Sequence, residues 1–239
     1  VRGVHRGRPA FYGGEVMERP RLLDLFCGAG GCSMGYHRAG FDVTGVDINP
    51  QPRYPFPFIQ ADVMTLDPEF IRSFDAVHAS PPCQVHCALK HMVDMSKHRD
   101  FIPQTRAMLI ESGLPYVIEN VPGSPLINPI VLCGSSFGLR VRRHRLFESN
   151  IVLLGIPCRH AEQGRPIDVS GTGGRRINRR PDDHGGNTNK PRNIQEARVA
   201  IGIDWMTRKE LSQAIPPAYT NFIGKQLMEY INVRAQEHL

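Results

Sequence analysis

The stretch FDAVHASPPCQVHC, residues 74–87, runs a short apolar strand into two prolines and then a cysteine. Neither proline has an N–H to give and each fixes its own φ, so the pair ends the strand and stiffens the backbone beyond it. Cys83 is therefore presented at a defined place past a strand end. A cysteine is more often a small buried hydrophobe than a nucleophile, so its role depends on the groups that face it. YVIEN, residues 116–120, supplies Glu119 at the tip of another strand. In open α/β sheets the ligand site lies outside the carboxyl ends of the strands, where both groups converge. A thiolate and a carboxylic acid facing one substrate suit covalent addition to an electron-poor ring. The sulfur attacks, and the acid protonates or hydrogen-bonds the ring nitrogen that takes up charge. The plainer alternative for Glu119 is a capping or salt-bridged carboxylate.

A second constellation precedes this one. DLFCGAGG places Gly28, Gly30 and Gly31 directly after the first strand, where glycines let backbone approach a ligand and turn into a helix. The dinucleotide fingerprint wants a third glycine at position 33, and Ser33 stands there instead. Asp47 ends the second strand, placed to accept hydrogen bonds from ribose hydroxyls, and Ile48 can lie against an adenine face. Asp62, within FIQADV, suits an adenine amino group. Turn-forming or helix-capping acids are the plainer reading of each residue alone. Together with the glycines they imply an adenosine-bearing cofactor.

The elements that must hold these groups alternate. RLLDLF (21–26), DVTGVD (42–47), AVHAS (76–80), YVIEN (116–120) and IVLC (130–133) read as strands. Helices are expected over 33–40, opened by a Ser33 cap and closed by Gly40, and over about 99–112. Such alternation predicts a mostly parallel, Rossmann-like sheet with helices on both faces. Residues 159–192 are polar, rich in Gly and without periodicity. Helical character returns near the end, with Phe222, Ile223, Leu227, Tyr230 and Ile231 on one apolar face. The expected organisation is a loose extension (1–18), a catalytic and cofactor-binding domain (19–150), a short basic insert (151–195) and a helical segment completing the domain (196–239).

The chain has 239 residues, 41% hydrophobic and 22% charged, as in ordinary globular proteins. No run of 18 apolar residues predicts a membrane span, and the basic, Gly-rich first residues lack the apolar core of a secretory signal. Six cysteines without matched pairs read as reduced thiols of a cytoplasmic protein. Cys158 and His160 offer two metal ligands with no partner spacing, so no metal is expected. Residues 140–192 hold twelve Arg or Lys against five acids, an excess larger than the chain's whole net charge of +6. Eleven of the twelve are Arg, whose fork matches phosphate oxygens. A solvated surface loop is the plain reading. A polyanion contact is the functional one, with Arg175, Arg176, Arg179 and Arg180 at its centre.

With these residues in view, the chain resembles the DNA cytosine-5 methyltransferases. DLFCGAGG, Asp47, Asp62, SPPCQ (80–84), ENV (119–121) and the Arg-x-Arg of RRHR (Arg143, Arg145) match that family's blocks in order. IPPAYTNFIG, with Asn221, resembles its last block, which packs back on the first. The resemblance covers about residues 20–150 and 195–230. It implies S-adenosyl-L-methionine as cofactor, held by Phe26, Gly28 and Gly30, by Asp47 and Ile48, by Asp62 and Val63, and by Pro82 and Asn221. It implies that Cys83 attacks carbon 6 of a flipped-out cytosine, that Glu119 contacts N3 and the amino group, and that carbon 5 takes the methyl. Arg143 and Arg145 would hold the flipped nucleotide, with Arg145 the stronger candidate, and Gln84 would touch the nucleic acid. The implied protein is a DNA (cytosine-5-)-methyltransferase, a small phage-like or orphan member of this restriction-modification-associated family, monomeric, acting on double-stranded DNA in the cytoplasm of a bacterial or phage-infected cell. Two departures stand out. Val141 occupies a position where the family usually has Gln, and only about sixty residues separate Arg145 from the final block, too few for a large target-recognition domain. RNA as the substrate, or a non-catalytic nucleic-acid-binding module on the same fold, are the alternatives these departures leave open.

Overall fold

The computed structural model describes residues 18–83, 85–86, 99–170 and 189–237. Seven strands form one sheet: β1 (Arg21–Leu25), β2 (Asp42–Asp47), β3 (Phe58–Gln60), β4 (Ala76–Ala79), β5 (Tyr116–Asn120), β6 (Ile130–Leu132) and β7 (Arg145–Ser149), in the order β3-β2-β1-β4-β5-β7-β6. The first five are mutually parallel, and β7 runs antiparallel to both β5 and β6. Central strands covered on both faces must be apolar throughout rather than alternating. Accordingly β4 and β5 are buried at every residue, and β1 at every residue but Arg21.

Side chains alternate between the two faces of a strand. Leu22, Ala76 and Val117 meet α1 (Gly31–Ala39) and α6 (Pro217–Glu237) through Tyr36, Ile223 and Leu227. Leu23, Leu25, Val77 and Ile118 pack on the other face with Ile71 of α2 (Pro68–Arg72) and Leu109 of α3 (Ile102–Ser112). A third, smaller core joins Val141, Ile167 and Val169 to α4 (Ile194–Ile201) and α5 (Arg208–Gln213).

Three sequence expectations shift. Helix α1 starts at Gly31, with Gly30 in the left-handed region as its N-cap, so Ser33 lies inside the first turn and caps nothing. RLFES, 145–149, is a strand that its leading arginine disguised. The segment 151–195 is ordered at its described ends: Ile167 and Asn189 form a bridge, and Ile167 and Val169 are buried. The packed ends come from two apolar residues in a polar stretch, too few to show a period. No helix among the described residues is long and apolar enough to cross a membrane.

Candidate active site

The sheet order reverses between β1 and β4, and in open α/β sheets a ligand binds at such a switch point, beyond the carboxyl ends of the strands. The glycine loop after β1 and the Pro-Pro-Cys loop after β4 are thereby neighbours. In the glycine loop, Phe26 and Gly28 adopt positive φ (57° and 49°), and a Cβ on Gly28 would project into open space. The Gly28 N–H donates to Asp47 Oδ2 at 3.1 Å, and the Asn49 N–H to Asp47 Oδ1 at 2.9 Å, which fixes the carboxylate at the tip of β2. Ile48 beside it is 60% exposed, an unusual position for a large apolar residue. Asp62 accepts the Met64 N–H at 2.9 Å and caps a 3₁₀ turn at Val63–Thr65, whose Val63 is buried. Gly30 and Phe26 lie in the same loop, with the Phe26 ring 6.4 Å from Phe101. Ser33 sits where the third fingerprint glycine was missing. It is fully buried, donates to Asp24 Oδ2 and accepts from Tyr54 Oη at 2.8 Å. The hydroxyl serves a buried acid, which explains the departure.

On the α1–α6 face, alternation lines up Asp24 of β1, His78 of β4 and Glu119 of β5, all buried. Tyr36 Oη lies 2.9 Å from His78 Nδ1, and His78 Nε2 lies 2.9 Å from Ser80 Oγ. Burial presses the His78 ring down to about 3, so it is a neutral link between two hydroxyls. The register sets Ser80 opposite Glu119. Burial raises the Glu119 carboxyl above its usual range, against the opposing pull of Arg145, Ser80 and Arg143. Arg145 Nε stands 3.0 Å from Glu119 Oε1, yet its N–H is not aimed at that oxygen, and Oε1 has no hydrogen-bond partner. A buried acid whose burial favours the protonated form, with an unsatisfied oxygen, is suited to hydrogen bonding with a ligand.

Cys83 is half-buried at the end of the Pro-Pro turn, and its carbonyl accepts the His86 N–H at 2.9 Å. Asn120, which sequence reasoning passed over as part of ENV, holds this loop in place: Asn120 Nδ2 donates to the Pro81 carbonyl at 2.9 Å. Pro82, half-buried, lies between that anchor and Cys83.

Arg143 and Arg145 part company. Arg143 is turned to structure, donating to the Leu211, Ser212 and Ala214 carbonyls at the end of α5. Of the two, it is Arg145 that reaches the acid. The gap left by Val141 is filled from elsewhere: Val141 is buried, and Gln163 Nε2 donates to the Leu139 and Val141 carbonyls at 2.8 Å each while its Oε1 accepts from Arg142 Nε. No spacing in the sequence tied Gln163 to this loop. The C-terminal segment closes the site from behind. Trp205 Nε1 donates to the Ala29 carbonyl, Tyr219 Oη to the Arg143 carbonyl and Thr220 Oγ1 to the Cys32 carbonyl, all within 2.8 Å. Asn221 comes next in the chain, with a buried Oδ1 lacking a hydrogen-bond partner. Gln84, Arg175, Arg176, Arg179 and Arg180 lie outside the described residues.

Residues 20–124 match the family model of C-5 cytosine-specific DNA methylases. Type II methyltransferase M.XorII of Xanthomonas oryzae is 29% identical over 153 residues, covering 57% of this chain and 32% of its own length. M.AquIA of Picosynechococcus is 29% identical over 126 residues, covering 45% and 50%. The chain thus spans a third to a half of these relatives. A prophage-encoded Escherichia coli protein assigned as a DNA modification methyltransferase superposes with TM-score 0.59 at 18% identity, covering 89% of this chain and 99% of that one. S. pombe Dnmt2 methyltransferase gives TM-score 0.59 at 14% identity, covering 90% and 100%. The structural likenesses show a shared fold.

Proposed function

We propose that the chain, whose residues 20–124 match the family model of C-5 cytosine-specific DNA methylases, methylates carbon 5 of cytosine in DNA, with S-adenosylmethionine as methyl donor. The observation that carries this reading is the buried Glu119 carboxyl beside Arg145, with one oxygen unsatisfied and its proton favoured by burial. An acid in that state suits one task, hydrogen bonding to a ring nitrogen as the ring accepts a nucleophile.

S-adenosylmethionine fits the residues present. The open space at Gly28 admits a ligand against the backbone, the Asp47 carboxylate stands at the strand tip for ribose hydroxyls, and the exposed Ile48 and Asp62 flank an adenine position. The partnerless Asn221 Oδ1 offers an acceptor on the side closed by α6. When bound, this cofactor supplies an electrophilic methyl on sulfonium sulfur.

The chain's own residues supply the activation. Cys83, at the end of a turn stiffened by Pro81 and Pro82 and tied by Asn120, adds to carbon 6 of a cytosine swung out of the duplex. Glu119 donates to N3 as charge develops there, and Arg145 holds the base against it. Carbon 5 then becomes nucleophilic. Loss of its proton and expulsion of the Cys83 sulfur restore the ring.

The test is a duplex oligonucleotide carrying 5-fluorocytosine, incubated with enzyme and S-adenosylmethionine. Fluorine cannot leave as a proton does, so a denaturing gel should show a covalent adduct with the wild type and none with Cys83→Ala. Nucleoside mass spectrometry of ordinary DNA should show 5-methylcytosine. Methylation of an RNA oligonucleotide alone, or full activity in Cys83→Ala, would overturn the reading.

A further inference from the structure

Four metal-ligating side chains that take no part in methyl transfer converge beside the arginine loop. Cys133 comes directly after β6, His144 immediately precedes β7, and Cys158 and His160 lie beyond β7. One ligand atom from each lies within 4.8 Å of all the others. Cys133 Sγ is 3.3 Å from His160 Nε2, Cys158 Sγ is 3.4 Å from His144 Nε2, and the two imidazoles meet edge to face with centroids 5.1 Å apart. Tetrahedral zinc, with bonds of about 2.3 Å to sulfur and about 2.0–2.1 Å to nitrogen, sets its ligand atoms about 3.3–3.8 Å apart. The two thiol–imidazole contacts already have that spacing, and drawing the remaining pairs in asks for movements of about 1 Å.

We propose that Cys133, His144, Cys158 and His160 bind a zinc ion at a closed, structural site. Two sulfurs and two imidazoles without a carboxylate suit zinc over calcium, magnesium or manganese. Four protein ligands leave no position for a substrate, which separates the site from catalysis. Binding releases one proton from each thiol, and two thiolates balance the charge of the ion, so a neutral centre forms among Arg142, Arg145 and Arg159. An outer shell is present: Ser135 Oγ donates to Cys133 Sγ at 3.2 Å and is itself fixed by the Arg159 N–H at 3.0 Å. The Cys133 thiol donates to the Arg142 carbonyl at 2.9 Å, and this contact opens when the thiol loses its proton. Cys158 and His160 had no partners at short spacing, because the side chains they touch, His144 and Cys133, stand 14 and 27 residues upstream, set side by side by the antiparallel pairing of β6 with β7.

The consequence is positional. His144 lies between Arg143 and Arg145, so the ion ties the loop that places Arg145 beside Glu119 to β6 and to the start of the arginine-rich segment. It acts as a clasp across three chain segments.

The experiment measures metal directly. The full chain, produced with added zinc and dialysed against metal-free buffer, should retain about one zinc per molecule by elemental mass spectrometry. A Cys158→Ala/His160→Ala double variant, altered where the side chains reach solvent and away from the methyl-transfer residues, should lose it while keeping its far-ultraviolet circular dichroism. Cobalt(II) in the zinc-free wild type should give the intense visible bands of a tetrahedral ion together with thiolate charge transfer. Should the double variant not fold, that wild-type cobalt spectrum decides alone. Zinc below about a tenth of an equivalent after incubation with zinc chloride, equal zinc in the double variant, or a weak octahedral cobalt spectrum would each overturn the proposal. None of these readouts depends on methylation.

Discussion

Two glutamates are buried on the neighbouring strands β5 and β7, and their surroundings assign them opposite work. Glu148 on β7 is saturated: Arg106 Nε and Nη2 donate to its two oxygens at 2.7 Å, and the Ile127 N–H adds a third bond. It binds α3 and a loop to the sheet. Glu119 has a guanidinium beside it but an oxygen with no hydrogen bond, and burial favours its proton. Replacing Glu119 with Gln should reduce transfer on the order of 10²–10⁴-fold, leaving S-adenosylmethionine binding by calorimetry unchanged. Because the protonated form is the donor, transfer should also fall as pH rises through the Glu119 titration, and Glu119→Gln should lose that limb. Asp24 makes a separate prediction about stability. Burial pushes its carboxyl up to about 7 from the ordinary 3.8, the Ser33 hydroxyl pulling the other way. A folded value above the unfolded one means the native state binds the extra proton, so this group's contribution is complete below about pH 4 and lost as pH rises to about 7. Urea unfolding across that range should show stability declining, and Asp24→Asn should flatten the decline while still accepting from Ser33.

The contact of α1 with α6 places Asn221 at the start of α6, where we propose it faces the cofactor, and it depends on close approach. A Cβ on Gly35 would collide with the Pro217 carbonyl oxygen and stand 2.7 Å from the Asn221 nitrogen. Gly35→Ala should therefore push the helices apart, costing about 1–3 kcal/mol in denaturant unfolding, and weaken S-adenosylmethionine binding through Asn221. A variant as stable as wild type would show that the helices have slack. Much of this architecture was legible. Apolar runs bounded by glycines and prolines predicted β1, β2, β4, β5 and β6 within a residue or so, because strands buried on both faces leave a plain signal. Strand β7 was not legible: RLFES is half polar, since Arg145 and Glu148 both turn to oppositely charged partners, and tertiary pairing overrides its local pattern. The candidate site divides the same way. Cys83, Glu119, Asp47 and Arg145 stand out in the sequence because a strand end or a motif announces each. His78, Asn120 and Gln163 act through hydrogen bonds to distant backbone or hydroxyls, and spacing along the chain does not encode those.

Over the whole molecule, charge has to be weighed against its pairing. At the described ends of the basic segment several cations are engaged: Lys190 with Asp168 at 2.6 Å, Arg140 with Glu196 at 3.4 Å and Arg159 with Glu162 at 3.9 Å. Exposed pairs of this kind contribute little stability, and each removes a cation from those available to phosphate. The sequence between these ends holds Arg175, Arg176, Arg179 and Arg180 against only Asp182 and Asp183. With Gly and Asn around them, these arginines have the composition of a backbone-tracking contact rather than of a base-reading scaffold. Every phosphate they neutralise releases counterions, so log affinity for duplex DNA should fall with log salt at a slope of about −0.9 per contact. Changing all four to Ala should flatten that slope by roughly two to four units, measured by fluorescence anisotropy across a salt series. S-adenosylmethionine affinity should stay the same, because Gly28, Asp47 and Asn221 lie on other segments. Sequence preference should also change little, since phosphate contacts position a protein without reading bases. An unaltered slope in the four-alanine protein would move the polyanion contact away from this segment and leave Arg142, Arg165 and Arg192 as the cations to test next.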